Sequence, residues 1–128
     1  MPHIIMETPR LKLRRMTFSD IHSLSCILCD ERVMYAYNGA FDENETAEWM
    51  QKQLRRYEEF GFGLWAVIKK GTDEMIGQCG ITMQQYKDAS VPEIGYLFAY
   101  KHWHNGYATE AAAACREYGF GTLHFDSL

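Results

Sequence analysis

The 128-residue sequence contains only 3 prolines, no long apolar run and no excess of basic residues. Because a helix needs about 20 apolar residues to span a bilayer, no membrane segment is predicted. The N-terminus lacks the apolar core of a secretion signal, which favours a cytoplasmic protein. A formal net charge of -4 disfavours nucleic acid as the main partner, since phosphate backbones attract basic surfaces. With no linkers, repeats or low-complexity segments, residues 1–128 are predicted to form a single domain.

The 4 cysteines fit a reducing compartment and indicate no metal site. Cys26 and Cys29 form a C-x-x-C pair, whereas Cys79 and Cys115 are isolated in the sequence. A zinc site would need a second pair or histidines at ligand spacing, and a thioredoxin-like pair should open a helix. This pair lies late in a helix predicted over residues 18–29. We therefore interpret it as small apolar side chains, buried or half-buried, and keep a redox or metal role as the minor alternative.

The hydrophobic content of 47% is sufficient for a folded core, and its periodicity predicts seven elements. In chain order these are a strand at 10–15, a helix at 18–29, a helix from 42–46 to 61, strands at 64–69, 75–83 and 93–100, and a helix at 107–120. Gln84–Ser90 is predicted to be a polar loop, and Val91-Pro92 a strand entrance. Helices on either side of three antiparallel strands indicate an α+β, or mixed α/β, domain.

The most informative segment is the last predicted strand, Glu93–Tyr100, and the loop that follows it. This loop ends in Gly106-Tyr107-Ala108 and opens a helix rich in small residues. The first backbone N–H groups of a helix have no internal partner, and the helix dipole attracts negative charge there. The pattern predicts an anion-binding turn, and an ordinary strand-to-helix connection is an equal alternative.

Two motifs in this sequence resemble the GNAT superfamily of acetyltransferases. Ile94-Gly95-Tyr96 followed by Trp103–Ala111 is similar to its acetyl-CoA signature, Q/R-x-x-G-x-G/A, with Trp103 at the Q/R position. Glu7–Arg14 is similar to the first strand, E-T-x-R-L-x-L-R, of the branch that includes the ribosomal-protein N-terminal acetyltransferases (RimJ/RimL-like). The family fold continues with a strand, a helix and two more strands. The chain is therefore expected to be the N-terminal part of an incomplete GNAT domain.

The resemblance implies that an acetyl group passes from acetyl-CoA to a primary amine by direct attack on the thioester. The amine would belong to a protein N-terminus or a small molecule, and no metal is involved. Backbone amides of the turn would hold the CoA pyrophosphate, and the preceding strand would pair with the pantetheine arm. The implied cofactor-binding residues are Tyr96, Leu97, Phe98, His104, Asn105, Gly106, Tyr107, Ala108 and Thr109.

Glu93 is the candidate general base, since family members often place a carboxylate at the start of this strand. A surface glutamate at a strand end is an equal alternative. Tyr96 and Tyr100 could line the cleft, although core packing is the favoured interpretation for both. His102 and His104 could contact phosphates, but we expect both to be solvated.

The strand at 93–100 is predicted to be an open, apolar sheet edge. Such an edge invites pairing with another chain, so we expect a homo-oligomer that forms through it. A non-catalytic CoA-binding or structural module is the alternative function.

Overall fold

The computed structural model describes residues 4–128. Its strands are β1 (Ile4–Glu7), β2 (Leu11–Arg14), β3 (Leu64–Lys69), β4 (Glu74–Tyr86) and β5 (Ala89–Phe98), and its helices are α1 (Ile21–Leu28), α2 (Glu31–Met34), α3 (Glu43–Phe60) and α4 (Tyr107–Gly121). Short 3-10 turns lie at Phe18–Asp20, Tyr35–Tyr37 and Tyr100–His102. The strands form one antiparallel sheet in the order β1-β2-β3-β4-β5. The predicted α+β class is confirmed, and β1 precedes the first strand that periodicity predicted.

The sheet is covered on both faces, which gives the domain two packed layers of core. On one face α4 packs against β4 and β5, and the ring of Trp65 meets Tyr118 edge-on at 5.4 Å. On the opposite face lie α1 and α3, where the indole nitrogen of Trp49 donates to Gln78 Oε1 at 3.0 Å. Both faces of β3 are therefore apolar, and the strand is almost wholly buried. This burial explains why its bounds were predicted correctly from composition alone.

Tyr57 of α3 links the segment after β2 to β3 through its hydroxyl group. The hydroxyl accepts a hydrogen bond from the Met16 backbone N–H at 3.2 Å and donates one to the Leu64 carbonyl. Its side chain is buried, and this burial raises the pKa of Tyr57 to about 12. The phenol is therefore neutral at physiological pH and satisfies two backbone groups that would otherwise be buried without partners.

The start of the first helical segment is fixed by Asp20. Its carboxylate accepts from the Thr17 backbone N–H at 2.8 Å, the bond of a capping box, and from both terminal nitrogens of Arg14 at 2.8 and 2.9 Å. Burial alone would raise the pKa of Asp20, but the bonds from Arg14 and Thr17 outweigh it and lower that pKa. The end of β2 is thereby tied to α1.

The prediction of a polar loop at Gln84–Ser90 is wrong. β4 and β5 form one long hairpin that stays paired as far as Tyr86 opposite Ala89, and only two residues make the turn. The polar residues belong to the half-buried and exposed end of the ladder, so they lack the apolar alternation that indicates a strand. Pro92 lies within β5 opposite Met83 rather than at its entrance, which an edge strand tolerates.

The interpretation of the C-x-x-C pair as buried side chains is also wrong. Cys26 and Cys29 are both exposed, because they lie on the solvated side of α1 and at its end. The two isolated cysteines instead meet in the core, with 3.6 Å between the sulfurs of Cys79 and Cys115. Hydrogen bonding to Cys115 and burial raise the pKa of Cys79, so its thiol stays protonated.

Over residues 4–128, no three side chains of His, Cys, Asp or Glu are grouped so that they could hold a metal ion. None of the helices that the structure describes has the length and apolar character needed to cross a membrane.

Replacing Tyr57 with Phe should destabilise the domain by about 1–3 kcal/mol, because a buried N–H and a buried carbonyl lose their partner. Urea denaturation of the variant and the native chain measures the difference. Tyr35→Phe is the control, since Tyr35 is 80% exposed and should change stability little. Equal stabilities of the two variants would contradict this role of the Tyr57 hydroxyl.

Candidate functional site

A cavity of about 390 Å³ lies where the end of β5 meets the start of α4. Its lining residues are Val33, Tyr96, Leu97, Phe98, His102, Trp103, His104, Gly106, Tyr107, Ala108 and Thr109. Every residue predicted to contact the cofactor lines this cavity except Asn105. The strand and the turn are therefore brought together around one space, as the sequence motif requires.

The turn before α4 leaves several backbone donors unengaged. Gly106 caps the helix in the left-handed region, with φ +78°, and carries no side chain that could bond the helix N–H groups. The first hydrogen bond of the helix runs from Glu110 N–H to the Gly106 carbonyl at 3.0 Å. Among residues 4–128, no hydrogen bond engages the N–H groups of Tyr107, Ala108 or Thr109. Free donors of this kind, together with the helix dipole, favour an anion at a helix start.

The shape of the turn is held by side chains that bond to its own backbone. The Asn105 side-chain amide donates to the carbonyls of His102 and Trp103 at 3.2 and 3.1 Å. The indole nitrogen of Trp103 donates to the Phe98 carbonyl at 2.9 Å. Asn105 thus braces the turn with its side chain and does not line the cavity, while Trp103 ties the turn to the end of β5.

The loop between β1 and β2 also reaches the turn, a contact that the sequence analysis missed. Arg10 Nη1 donates to the Asn105 carbonyl at 2.9 Å, and Arg10 Nε donates to Glu110 Oε1 at 2.7 Å. The Thr8 hydroxyl donates to the other oxygen of Glu110. Burial opposes ionisation of Glu110, but the bonds from Thr8 and Arg10 outweigh it and lower the pKa of this carboxyl. Thr8 and Arg10 belong to the first-strand motif, Glu7–Arg14. That motif indicated a resemblance to the family but did not indicate a contact with the turn.

Tyr96 and Tyr100 are both exposed, so the expectation that they pack in the core is wrong. Tyr96 is 50% exposed on β5 and lines the cavity. Tyr100 is 42% exposed, its ring lies 4.9 Å from that of Trp103, and the Arg32 guanidinium stacks on it at 4.0 Å. β5 is the last strand of the sheet, and within the described chain its outer edge pairs with no other strand. This open edge leaves the ring of Tyr96 uncovered.

The two histidines differ in their surroundings. The His102 side chain is only 11% exposed, so the expectation that it is solvated is wrong. Its Nε2 lies 3.5 Å from Glu74 Oε1, within ion-pair distance but without hydrogen-bond geometry, and burial lowers the pKa of His102. His104 is exposed and adopts φ +66° where the chain turns towards α4.

Glu93 lies apart from the cavity. It is exposed on β5 opposite Thr82, and the Tyr86 hydroxyl is 3.5 Å from its Oε2. The structure thus places the carboxylate on the strand that borders the cavity but does not bring it into contact with the turn.

Comparison with known proteins extends the likeness over nearly the whole chain. Residues 10–128 match the sequence profile of the acetyltransferase (GNAT) domain. An uncharacterized protein of Bacillus subtilis, YkkB, is 43% identical, over 94% of this chain and 71% of its own length. An uncharacterized N-acetyltransferase of the same species, YoaA, is 32% identical over 93% of this chain and 68% of its own length. The crystal structure of an acetyltransferase from Agrobacterium tumefaciens superimposes with a TM-score of 0.80, at 30% identity over 94% of this chain and 68% of that one.

The five-stranded antiparallel sheet with helices on both faces is the architecture of an acetyltransferase (GNAT) domain. The chain belongs to the acetyltransferase (GNAT) domain family. The predicted GNAT fold is thereby confirmed, and the family suggests acetyl transfer as the reaction class.

The depressed pKa of Glu110 should make stability depend on pH. A carboxyl whose pKa is lower in the folded chain contributes stability above its unfolded pKa, about 4.3, and loses it as the pH falls through the folded value. The free energy of unfolding should therefore fall on acidification more for the native chain than for Glu110→Gln. Urea denaturation at about pH 7, 5, 4 and 3 measures this difference.

Glu117→Gln provides the control, because Glu117 is exposed on the same helix and the described chain gives it no side-chain partner. If the free energy of unfolding falls equally with pH for the native chain and Glu110→Gln, the ionised Glu110 does not have this stabilising role.

Proposed function

We propose that this chain transfers the acetyl group of acetyl-CoA to a primary amine. The observation that carries the proposal is the cavity at the start of α4, where the N–H groups of Tyr107, Ala108 and Thr109 have no partner in the part of the chain that the structure describes. These amides, with those of Asn105 and Gly106, would hold the CoA diphosphate. Gly106 suits this task because it presents no side chain to an approaching phosphate.

The outer edge of β5 would hold the pantetheine arm. A strand at the edge of a sheet offers alternating N–H and C=O groups, which an amide-containing chain can pair with as an added strand does. Tyr96, Leu97 and Phe98 border the cavity on this edge. A backbone N–H of this segment would polarise the thioester carbonyl, and such a preorganised donor is typically worth about 3 kcal/mol in the transition state.

The reaction forms a C–N bond and breaks the C–S bond of the thioester. Bound acetyl-CoA supplies an activated acetyl group that a free amine can attack directly. A lysine amine has a pKa near 10 and a chain terminus one near 8, so a base must accept a proton at neutral pH. The proton lost by the amine is finally balanced by protonation of the CoA thiolate.

Glu93 is the proposed base, and it would act through water. It lies three residues before Tyr96 on β5, which is about 10 Å along an extended strand. Direct proton transfer requires about 3 Å between heavy atoms, so a carboxylate at that separation needs a water relay. The exposure of Glu93 supports this, because solvent reaches its carboxylate.

The acceptor is proposed to be a protein N-terminus or a small amine. Support comes from the first-strand motif, Glu7–Arg14, which is similar to that of the ribosomal-protein N-terminal acetyltransferases. The likeness to YoaA, an N-acetyltransferase by its description, supports transfer to nitrogen.

The proposal predicts that the chain binds CoA with measurable heat and releases thiol from acetyl-CoA when amines are added. Calorimetry and a thiol-reactive dye measure the two events across a panel of small amines and N-terminal peptides. Glu93→Gln should lower turnover at least about tenfold while CoA affinity stays unchanged, since a general base contributes 10²–10⁴-fold. Binding without turnover would instead support a non-catalytic CoA-binding module, and absence of both would refute the proposed function.

A matched glycine pair tests the binding turn. Gly106 and Gly61 both adopt left-handed conformations, with φ +78° and +80°, so alanine strains the backbone similarly at each. Gly61 has open space around its Cβ position, whereas a Cβ at Gly106 would lie 3.4 Å from Arg10 Nη2. Gly106→Ala should weaken CoA binding about tenfold, equivalent to about 1.4 kcal/mol, and Gly61→Ala should not. Equal affinities of the two variants would contradict the proposed location.

The same edge of β5 supports self-association into a homo-oligomer, and pairing there would compete with the pantetheine arm. We expect saturating CoA to shift the chain towards the monomer, because one row of backbone groups cannot pair twice. Sedimentation velocity with and without CoA measures this shift. A monomer in both conditions, or an oligomer that CoA leaves unchanged, would contradict association through this edge.

A further inference from the structure

Glu110 occupies an unfavourable position for a site that binds an anion. It lies in the first turn of α4, and its own N–H donates to the carbonyl of Gly106, the N-cap residue of the helix. A carboxylate there interacts favourably with the helix dipole, but it also repels a phosphate bound at the same helix end. If the turn binds a diphosphate, another group must offset this charge.

Arg10 offsets it and contacts the turn at the same time. Its backbone N–H and its Nε donate to the two oxygens of Glu110 at 3.1 and 2.7 Å. Its Nη1 donates to the Asn105 carbonyl at 2.9 Å, and its guanidinium lies over the Tyr107 ring, 4.4 Å from the centroid. The Arg10 side chain therefore connects Asn105, which precedes the helix, with Glu110 near the start of α4.

These contacts engage the groups that would oppose an anion. The carboxylate of Glu110 is neutralised by Arg10 and hydrogen-bonded by Thr8, and the partial negative charge of the Asn105 carbonyl faces the guanidinium. The donors that remain outward are the amides of Tyr107, Ala108 and Thr109. The pairing therefore leaves these amide dipoles unopposed, and such an arrangement favours an anion.

We propose that Arg10 is a positioning residue for the nucleotide diphosphate, which it favours by neutralising Glu110 and fixing the Asn105 carbonyl. This inference rests on the proposed function. It adds that affinity for the phosphate-bearing part of CoA depends on an ion pair between the β1–β2 loop and α4. The alternative is a purely structural tie, in which Arg10 and Glu110 only dock the loop against the helix.

The signs of two single substitutions separate these roles. If Arg10 works by cancelling charge, Arg10→Gln leaves a bare carboxylate and weakens CoA binding about tenfold, a modest effect because the Arg10 side chain is 46% exposed. Glu110→Gln removes the repelling charge and leaves CoA affinity equal or tighter. A structural tie predicts that both substitutions weaken binding. The double variant should return to within about threefold of the native affinity.

The experiment is calorimetric titration of the four proteins with CoA, together with NMR titration by S-acetylpantetheine, which lacks the diphosphate. Arg10→Gln should weaken CoA binding and leave binding of S-acetylpantetheine unchanged, and the loss should shrink as salt is added. Arg116→Gln is the control, because Arg116 is exposed at the far end of α4 and stacks on Phe120. Thermal unfolding of each variant measures the structural contribution separately.

A loss of CoA affinity in Glu110→Gln, or an equal loss of both ligands in Arg10→Gln, would overturn the inference. If Arg10→Gln does not fold, the CoA affinity of Glu110→Gln decides alone. An affinity equal to or tighter than that of the native chain supports charge cancellation, and a weaker one supports a structural tie. If the native chain and Arg10→Gln bind CoA equally well, only the role of Arg10 is refuted. If the native chain binds no CoA, the proposed function is refuted as well.

Discussion

The unengaged N–H groups at the start of α4 are the constraint on which the rest of the site depends. They exist because Gly106 caps the helix without a side chain and because the helix's own hydrogen bonds begin only at Glu110. A free helix end is common and is normally solvated. What distinguishes this one is that strand β5 ends beside it, so that the amides border a cavity with a sheet edge that no strand of residues 4–128 pairs with.

The sheet fixes this geometry through its two packed faces. β5 is held by the long hairpin with β4, and α4 packs on both strands, so strand and helix cannot move apart without opening the core. Close contacts reinforce the arrangement: a Cβ at Gly77 of β4 would lie 2.5 Å from the ring of Phe98, the last residue of β5. The site is thus built at the rim of a rigid scaffold, which keeps its donors preorganised.

The candidate residues differ in how far sequence reasoning could find them. The turn was predicted because a glycine and small residues between a strand and a helix have a direct physical meaning. Arg10 and Glu110 were missed because they are 100 residues apart, and no local pattern marks a long-range ion pair. The exposure of Cys26 and the burial of His102 were misjudged for the same reason, since the burial of a polar or small side chain depends on which elements pack beside it.

Local sequence was enough to specify the helices α1, α3 and α4, the buried strand β3 and the position of the turn, because periodicity and capping act over a few residues. Packing of the folded sheet set three other features: the contact of Cys79 with Cys115, the continuation of the hairpin through Gln84–Ser90, and the pairing of Arg10 with Glu110. Each of these depends on contacts between segments distant in the chain. Such contacts are set by packing and register of the whole sheet, which no short window of sequence contains.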